Sequence, residues 1–134
     1  RRNLNIKAME HAVKYIIGKH NFTSFRTSKC QAKSPIRTLD EITFSHENEE
    51  VIMKVKAPSF LHSQVRIIAG TIVKIGEGTW EPGIMKIILN AKDRTFAGPT
   101  APPEGLYLER VDYPEKLLNH NWPIIYDSKK SDNY

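Results

Sequence analysis

Apolar side chains recur at steps of three and four near the start of the chain. Ile6, Met9, Val13, Ile16 and Ile17 make one stripe, which predicts an amphipathic helix. Asn5 stands where a cap belongs, and Gly18 where a helix stops. No regular period runs through residues 20–35, so this stretch reads as a long ordered loop. In a compact domain such a loop is usually functional. Alternation then takes over. Residues 36–46 read as one strand with Ile42 and Phe44 on one face. Residues 51–57 read as a second, with Val51, Met53, Val55 and Ala57 on one face. The polar Glu47-Asn48-Glu49 between them predicts an antiparallel hairpin with a loose turn.

Helical spacing returns after Pro58. Leu61, Val65, Ile68, Ile72 and Ile75 follow steps of four, three, four and three, with Ser59 as the expected cap. Phe60, Ile67, Ala69 and Val73 widen the apolar surface beyond one stripe, so this helix is expected to pack on more than one side. Gly76-Glu77-Gly78 ends it. Pro82 suits a first helical turn, and Ile84, Ile87, Ile88 and Leu89 carry a third helix to about Lys92. Residues 97–105 hold three prolines and two glycines and form a loop. Residues 106–111 read as the last strand. Helices mixed with a hairpin imply an α+β fold, with helices on one face of a sheet.

Composition narrows the class. The chain has 134 residues, 40% of them hydrophobic and 26% charged, which is ordinary for a folded domain and long enough for a real core. No run approaches the roughly 20 apolar residues of a membrane span, and no secretory signal is visible. The lone Cys30 cannot form an internal disulfide, which points to a reducing compartment. The chain opens Arg1-Arg2-Asn3 without a methionine, as a processed or excised piece of something longer would. Residues 127–134 make a short polar tail, expected to fray.

The net charge is +5, and its distribution matters more than its size. Residues 11–39 contain no acidic side chain. They hold Lys14, Lys19, Arg26, Lys29, Lys33 and Arg37, with Tyr15, Phe22 and Phe25 interleaved. Lysine and arginine neutralise phosphates and release counterions, and aromatic faces stack on bases. The plainer reading is a solvated basic face with its aromatics in the core.

Arg66 is the most informative single residue. It sits in the most hydrophobic helix between Val65 and Ile67, and residues 59–73 contain no Asp or Glu. No carboxylate three or four residues away can pair with it. A guanidinium keeps its proton, so burying it unpaired costs several kcal/mol. Its anion must come from elsewhere. Asp40, Glu50 or Asp93 could supply it, or Arg66 could reach solvent along its own stem. The functional alternative is an arginine that holds a catalytic carboxylate, or a phosphate, at the floor of a cleft.

Other chemistry finds no motif. The five histidines lack metal-ligand spacing. Cys30 lies in a basic loop that would lower its pKa, yet a lone cysteine is more often inert. Gly76-Glu77-Gly78 lacks the GK[ST] of a phosphate loop, and there is no Ser-His-Asp pattern. These residues alone support only a soluble basic α+β domain, with RNA binding and a merely solvated basic face both left open.

The order of several segments is more specific. Phe22-Thr23-Ser24-Phe25-Arg26 is followed by Lys33-Ser34-Pro35-Ile36-Arg37-Thr38. Phe60-Leu61-His62, Val65-Arg66 and Gly70 come next. The chain then reads Ala97-Gly98-Pro99-Thr100-Ala101-Pro102-Pro103-Glu104-Gly105-Leu106-Tyr107-Leu108, with Val111-Asp112-Tyr113-Pro114 after it. In this order the segments resemble the C-terminal half of the tRNA pseudouridine synthase A family, from about Ile6 to Pro114.

The resemblance implies a ferredoxin-like α+β half of the pseudouridine synthase fold, with an antiparallel-type sheet and helices on one face. Residues 1–114 would be this domain and 115–134 an extension. It implies a cytoplasmic, homodimeric enzyme that isomerises uridine to pseudouridine at positions 38 to 40 of the tRNA anticodon stem-loop, with no cofactor and no metal. In the family an aspartate attacks the nucleotide, the base detaches, turns, and reattaches through carbon.

Arg66 matches the family arginine that pairs with this aspartate. A guanidinium fork orients a carboxylate and lowers its pKa. Leu106 matches the apolar residue that packs on the target base. Arg26, Lys29, Lys33, Arg37 and His62 fall where RNA contacts are expected. The nucleophilic aspartate and a base-stacking tyrosine belong to the N-terminal half, which this sequence lacks, so the piece alone is expected to be inactive. The rival reading is a non-catalytic basic module that binds RNA or dimerises.

Overall fold

The computed structural model describes residues 3–27, 34–48, 50–61, 63–101, 106–111 and 124–125, the last two spans as strand backbone. Helix α1 spans Ile6–Val13. The Asn5 side chain accepts the Ala8 N–H at 3.1 Å, the capping bond that its position predicts. Met9, Ala12 and Val13 are buried. The helix stops before the apolar stripe does. Residues 14–17 continue as tighter turns, with Ile16 N–H on the Val13 carbonyl at 3.0 Å, so Ile16 is still fully buried. Gly18, at φ 100°, turns the chain out of them.

Two expectations are corrected in the next segment. Residues 20–35 are not all loop, and residues 36–46 are not one strand. Strand β1 (Gly18–Asn21) pairs antiparallel with β2 (Ile36–Leu39), and a single 3-10 turn follows at Thr23–Phe25. After β2 the chain changes partner. Asp40 donates its N–H to the Lys56 carbonyl at 2.7 Å, and β3 (Glu41–Glu47) then pairs with β4 (Glu50–Lys56). Alternation of side chains runs through such a switch, which is why it reads as one strand. The hairpin turn is tighter than expected. Glu47 pairs with Glu50, and Asn48 takes the positive φ of 60° that short hairpin turns demand.

Helix α2 spans Gln64–Gly76, so it starts five residues after Ser59, and Ser59 does not cap it. Phe60 and Leu61 are buried in the irregular stretch that precedes the helix, where their spacing happens to match its period. Ser63 enters at φ 60° with no capping bond from its side chain. Gln64 Oε1 reaches back to the Leu61 N–H at 2.8 Å. Helix α3 spans Ile84–Ala91 and ends on Lys92 at φ 52°, close to the expected limit.

Strand β5 (Leu106–Val111) returns beside β4, and β6 (Ile124–Ile125) lies antiparallel to β5. The order is β3-β4-β5-β6, with β1-β2 a separate ribbon. The β4–β5 pair is parallel, Val51 facing Leu106. A parallel pair requires a long crossover, and the segment that carries α2 and α3 supplies it. The fold is α+β as expected, with one parallel junction in its main sheet.

The core joins one face of the hairpin to the helices. Ile42, Val51, Met53 and Val55 pack in one cluster with Met9, Val13, Leu61, Val65, Ile68 and Ile72. Lys54, between two of these positions, is exposed. Ile52, on the opposite face by alternation, is buried outside that cluster.

Candidate functional site

One side of α2 carries Arg66, Gly70 and Thr71. Residues one helical turn apart share a face, and against this face lies the segment 98–101. Gly98 donates its N–H to Thr71 Oγ1 at 2.9 Å. That hydroxyl donates to the Ile67 carbonyl one turn back, also at 2.9 Å. The Pro99 carbonyl sits where a side chain at Gly70 would begin. A Cβ there would lie 2.8 Å from the Pro99 carbonyl carbon and closer still to its oxygen. Only glycine admits so close an approach. Gly98 is also tight, though less so, since a Cβ on it would come within 2.9 Å of Thr71 Cα.

Arg66 closes the other end of this contact. Its backbone carbonyl accepts the Ala101 N–H at 2.9 Å. Its guanidinium donates to the Ala101 carbonyl through Nε at 3.0 Å and Nη2 at 2.8 Å. Ala101 is buried, whereas Arg66 is half-buried. A guanidinium has five N–H donors, and the carbonyl occupies two along one edge. Among the described residues, no carboxylate pairs with Arg66. Asp93 accepts instead from Thr95, from its N–H at 2.9 Å and its hydroxyl at 2.7 Å. The Thr95 hydroxyl and then its N–H hold the exposed Asp93 carboxyl below its ordinary value.

The basic segment divides into a buried frame and an exposed margin. Phe22 and Phe25 are fully buried, with rings edge to face at 6.2 Å between centroids. They are core residues and offer no face to a base. Ser24, also buried, donates to the Ile88 carbonyl at 2.7 Å and accepts the Asp93 N–H at 2.8 Å. It fastens the 3-10 turn to α3. Asn21 Oδ1 accepts both the N–H and the hydroxyl of Thr23. Lys14 and Lys19 are exposed, and Arg26 is half-buried just past the turn. Arg37 folds back along β2, with Nη1 donating to the carbonyls of Ser34 at 2.9 Å and Ile36 at 2.8 Å.

The other expected site residues are placed less fully. Lys29, Lys33, His62 and Cys30 lie outside the described residues. Leu106 opens β5 opposite Val51; only its backbone position is described. Sequence reasoning passed over Thr71 and the Ala101 carbonyl. A threonine inside an apolar helix next to a mid-helix glycine was the available signal. Among the described residues, no three or more His, Cys, Asp or Glu side chains gather as metal ligands, and no helix is long and apolar enough to cross a membrane.

Comparison with known proteins adds a family. The profile described as tRNA pseudouridine synthase matches residues 12–114. The tRNA pseudouridine synthase A of Afipia carboxidovorans is 50% identical over 112 residues, covering 84% of this chain and 46% of that protein. That of Dinoroseobacter shibae is 48% identical over 116 residues, covering 84% and 45%. That of Ehrlichia chaffeensis is 50% identical over 110 residues, covering 82% and 45%. The chain thus spans about half the length of the curated relatives it matches. The span matched by the profile runs from the last two residues of α1 through β5, and so includes Arg66 and the segment clasped to α2. The chain belongs to the tRNA pseudouridine synthase family.

Proposed function

We propose that this chain is the C-terminal half of a tRNA pseudouridine synthase. The whole enzyme isomerises uridine to pseudouridine at positions 38 to 40 of the anticodon stem-loop, in the cytoplasm and as a homodimer. Residues 1–114 form the domain and 115–134 an extension. This half contributes Arg66, the apolar Leu106 and a basic surface that includes Arg26, Lys29, Lys33, Arg37 and His62. The N-terminal half contributes the nucleophilic aspartate.

The observation that carries the proposal is the state of Arg66. Its guanidinium is held at a defined place by one carbonyl, on a helix whose sequence offers no carboxylate. The donors left over by the Ala101 carbonyl suit a carboxylate arriving from outside this chain. Such a pair fixes the carboxylate for attack and keeps it ionised. Isomerisation neither adds nor removes atoms. The work left to the protein is attack, release and turning of the base, and exclusion of water. An apolar side chain at Leu106 serves the last of these.

The test is reconstitution. This chain is mixed with the N-terminal half of a close relative, and pseudouridine is measured in an anticodon stem-loop RNA. Product is expected with both halves and with neither alone. Turnover by this chain alone would overturn the assignment of the nucleophile. RNA binding without turnover in the mixture would favour the non-catalytic module.

A further inference from the structure

We infer that Thr71 is a positioning residue for Arg66, acting through the segment 98–101. The inference rests on the role proposed above for Arg66. Arg66 holds its guanidinium against the Ala101 carbonyl, so the place of that carbonyl sets the place of the fork. Three hydrogen bonds join Ala101 to Arg66 on α2, one to its backbone carbonyl and two from its guanidinium. The backbone bond fixes the Ala101 N–H, while the carbonyl on the far side of its Cα depends on how the whole segment is seated on α2. A second anchor, away from Arg66, is three residues earlier, where Thr71 Oγ1 accepts the Gly98 N–H.

Three features make that anchor stiff. Thr71 is fully buried. Its hydroxyl hydrogen is engaged by the Ile67 carbonyl, so a lone pair stays turned toward Gly98. The glycines at 70 and 98 let the two backbones touch, which leaves the segment no room to slide. The same segment leads toward β5, which begins at Leu106. One hydroxyl on α2 therefore shares in setting the place of the fork.

The experiment uses the full-length enzyme that carries this half. Thr71→Val keeps the shape and removes both hydrogen bonds, whereas Thr71→Ser keeps the hydroxyl. Small misplacement of a catalytic group costs up to about a hundredfold. We therefore expect Thr71→Val to lower kcat by about tenfold or more with KM for tRNA within about twofold, and Thr71→Ser to stay near wild type. Far-UV circular dichroism confirms folding at the assay temperature. If Thr71→Val does not fold, Thr71→Ala replaces it, since water can then reach the Gly98 N–H. In an Arg66→Lys background, whose residual rate no longer depends on the fork, Thr71→Val should add little further loss.

A folded Thr71→Val enzyme with wild-type kcat would overturn the inference. So would equal losses in the Val and Ser variants, or full additivity with Arg66→Lys. Arg66→Ala separates this failure from failure of the proposed function. If Arg66→Ala retains turnover, the role of Arg66 itself falls. If it is inactive while Thr71→Val is normal, only the positioning role falls.

Discussion

Arg66 and Ala101 are bonded in both directions. The Arg66 guanidinium donates twice to the Ala101 carbonyl, and the Arg66 carbonyl accepts the Ala101 N–H. One arginine thus stitches a loop to a helix with backbone and side chain together, using two of its five guanidinium N–H donors on the Ala101 carbonyl. Among the described residues no carboxylate meets the guanidinium, so the carbonyl tie leaves its positive charge uncompensated there.

Replacing Arg66 tests that division of labour. In the full-length enzyme Arg66→Ala is expected to reduce kcat by more than about a hundredfold while tRNA affinity changes little. Arg66→Lys should not rescue it, since an ammonium lacks the planar fork. Filter binding and single-turnover assays separate the two quantities. Parallel loss of both would make Arg66 a binding residue.

Gly70→Ala should damage folding. Its methyl would enter the space of the Pro99 carbonyl, a backbone group that cannot rotate away. Overpacking of this kind costs about 1–3 kcal/mol, occasionally more. Urea melts of this chain should show a midpoint lowered accordingly. An unchanged midpoint would mean that residues 98–101 do not sit on α2 in solution.

Ser24→Ala removes a buried hydroxyl that serves two backbone groups, the Ile88 carbonyl and the Asp93 N–H. Leaving buried groups unpaired costs about 1–3 kcal/mol. The predicted loss should appear in urea melts and as faster amide exchange at Asp93. Arg26, two residues away, directly follows the turn, so weaker RNA binding is expected to accompany it.

Asp93 carries a pH signature. Its native pKa lies below the ordinary value of 3.8 because Thr95 bonds to the ionised form. The ionised carboxylate therefore favours the folded state. That contribution is complete above the ordinary value and disappears as pH falls through the lower native one. Asp93→Asn, which keeps an acceptor but no charge, should lose this acid-limb component. Melting temperatures from about pH 6 to pH 2 would show it as a shallower fall in the variant. Identical slopes would refute the link.

Lys19 tests the basic margin. It is exposed on β1 in register with Thr38. If it meets a phosphate, Lys19→Ala should reduce the slope of log affinity against log salt by about 0.7 to 0.9. An unchanged slope would place Lys19 away from the RNA. Lys33→Glu offers the same test within the 22–38 segment and should weaken tRNA binding as well.

Some of this architecture was legible in the residue pattern because it depends on local physics. The Asn5 cap, the apolar stripe of α1, the alternating face of β4 and the end of α2 follow from spacing and from backbone preferences of single residues. The order of the Phe22, Arg66 and Gly98 segments was enough to reveal the family resemblance. The isolation of Arg66 from any carboxylate on its own helix was also visible there.

The start of α2 was not visible, because Phe60 and Leu61 are buried for reasons unrelated to helical period. Nor was the break at Asp40, where the backbone changes partner while side-chain alternation continues. The clasp of Gly98 on Thr71 and the bond from Arg66 to Ala101 join residues 27 and 35 positions apart. Local preference carries no information about such pairs. They form only once the crossover lays residues 98–101 on α2, and contact distance then decides that position 70 must be glycine and which carbonyl receives the arginine.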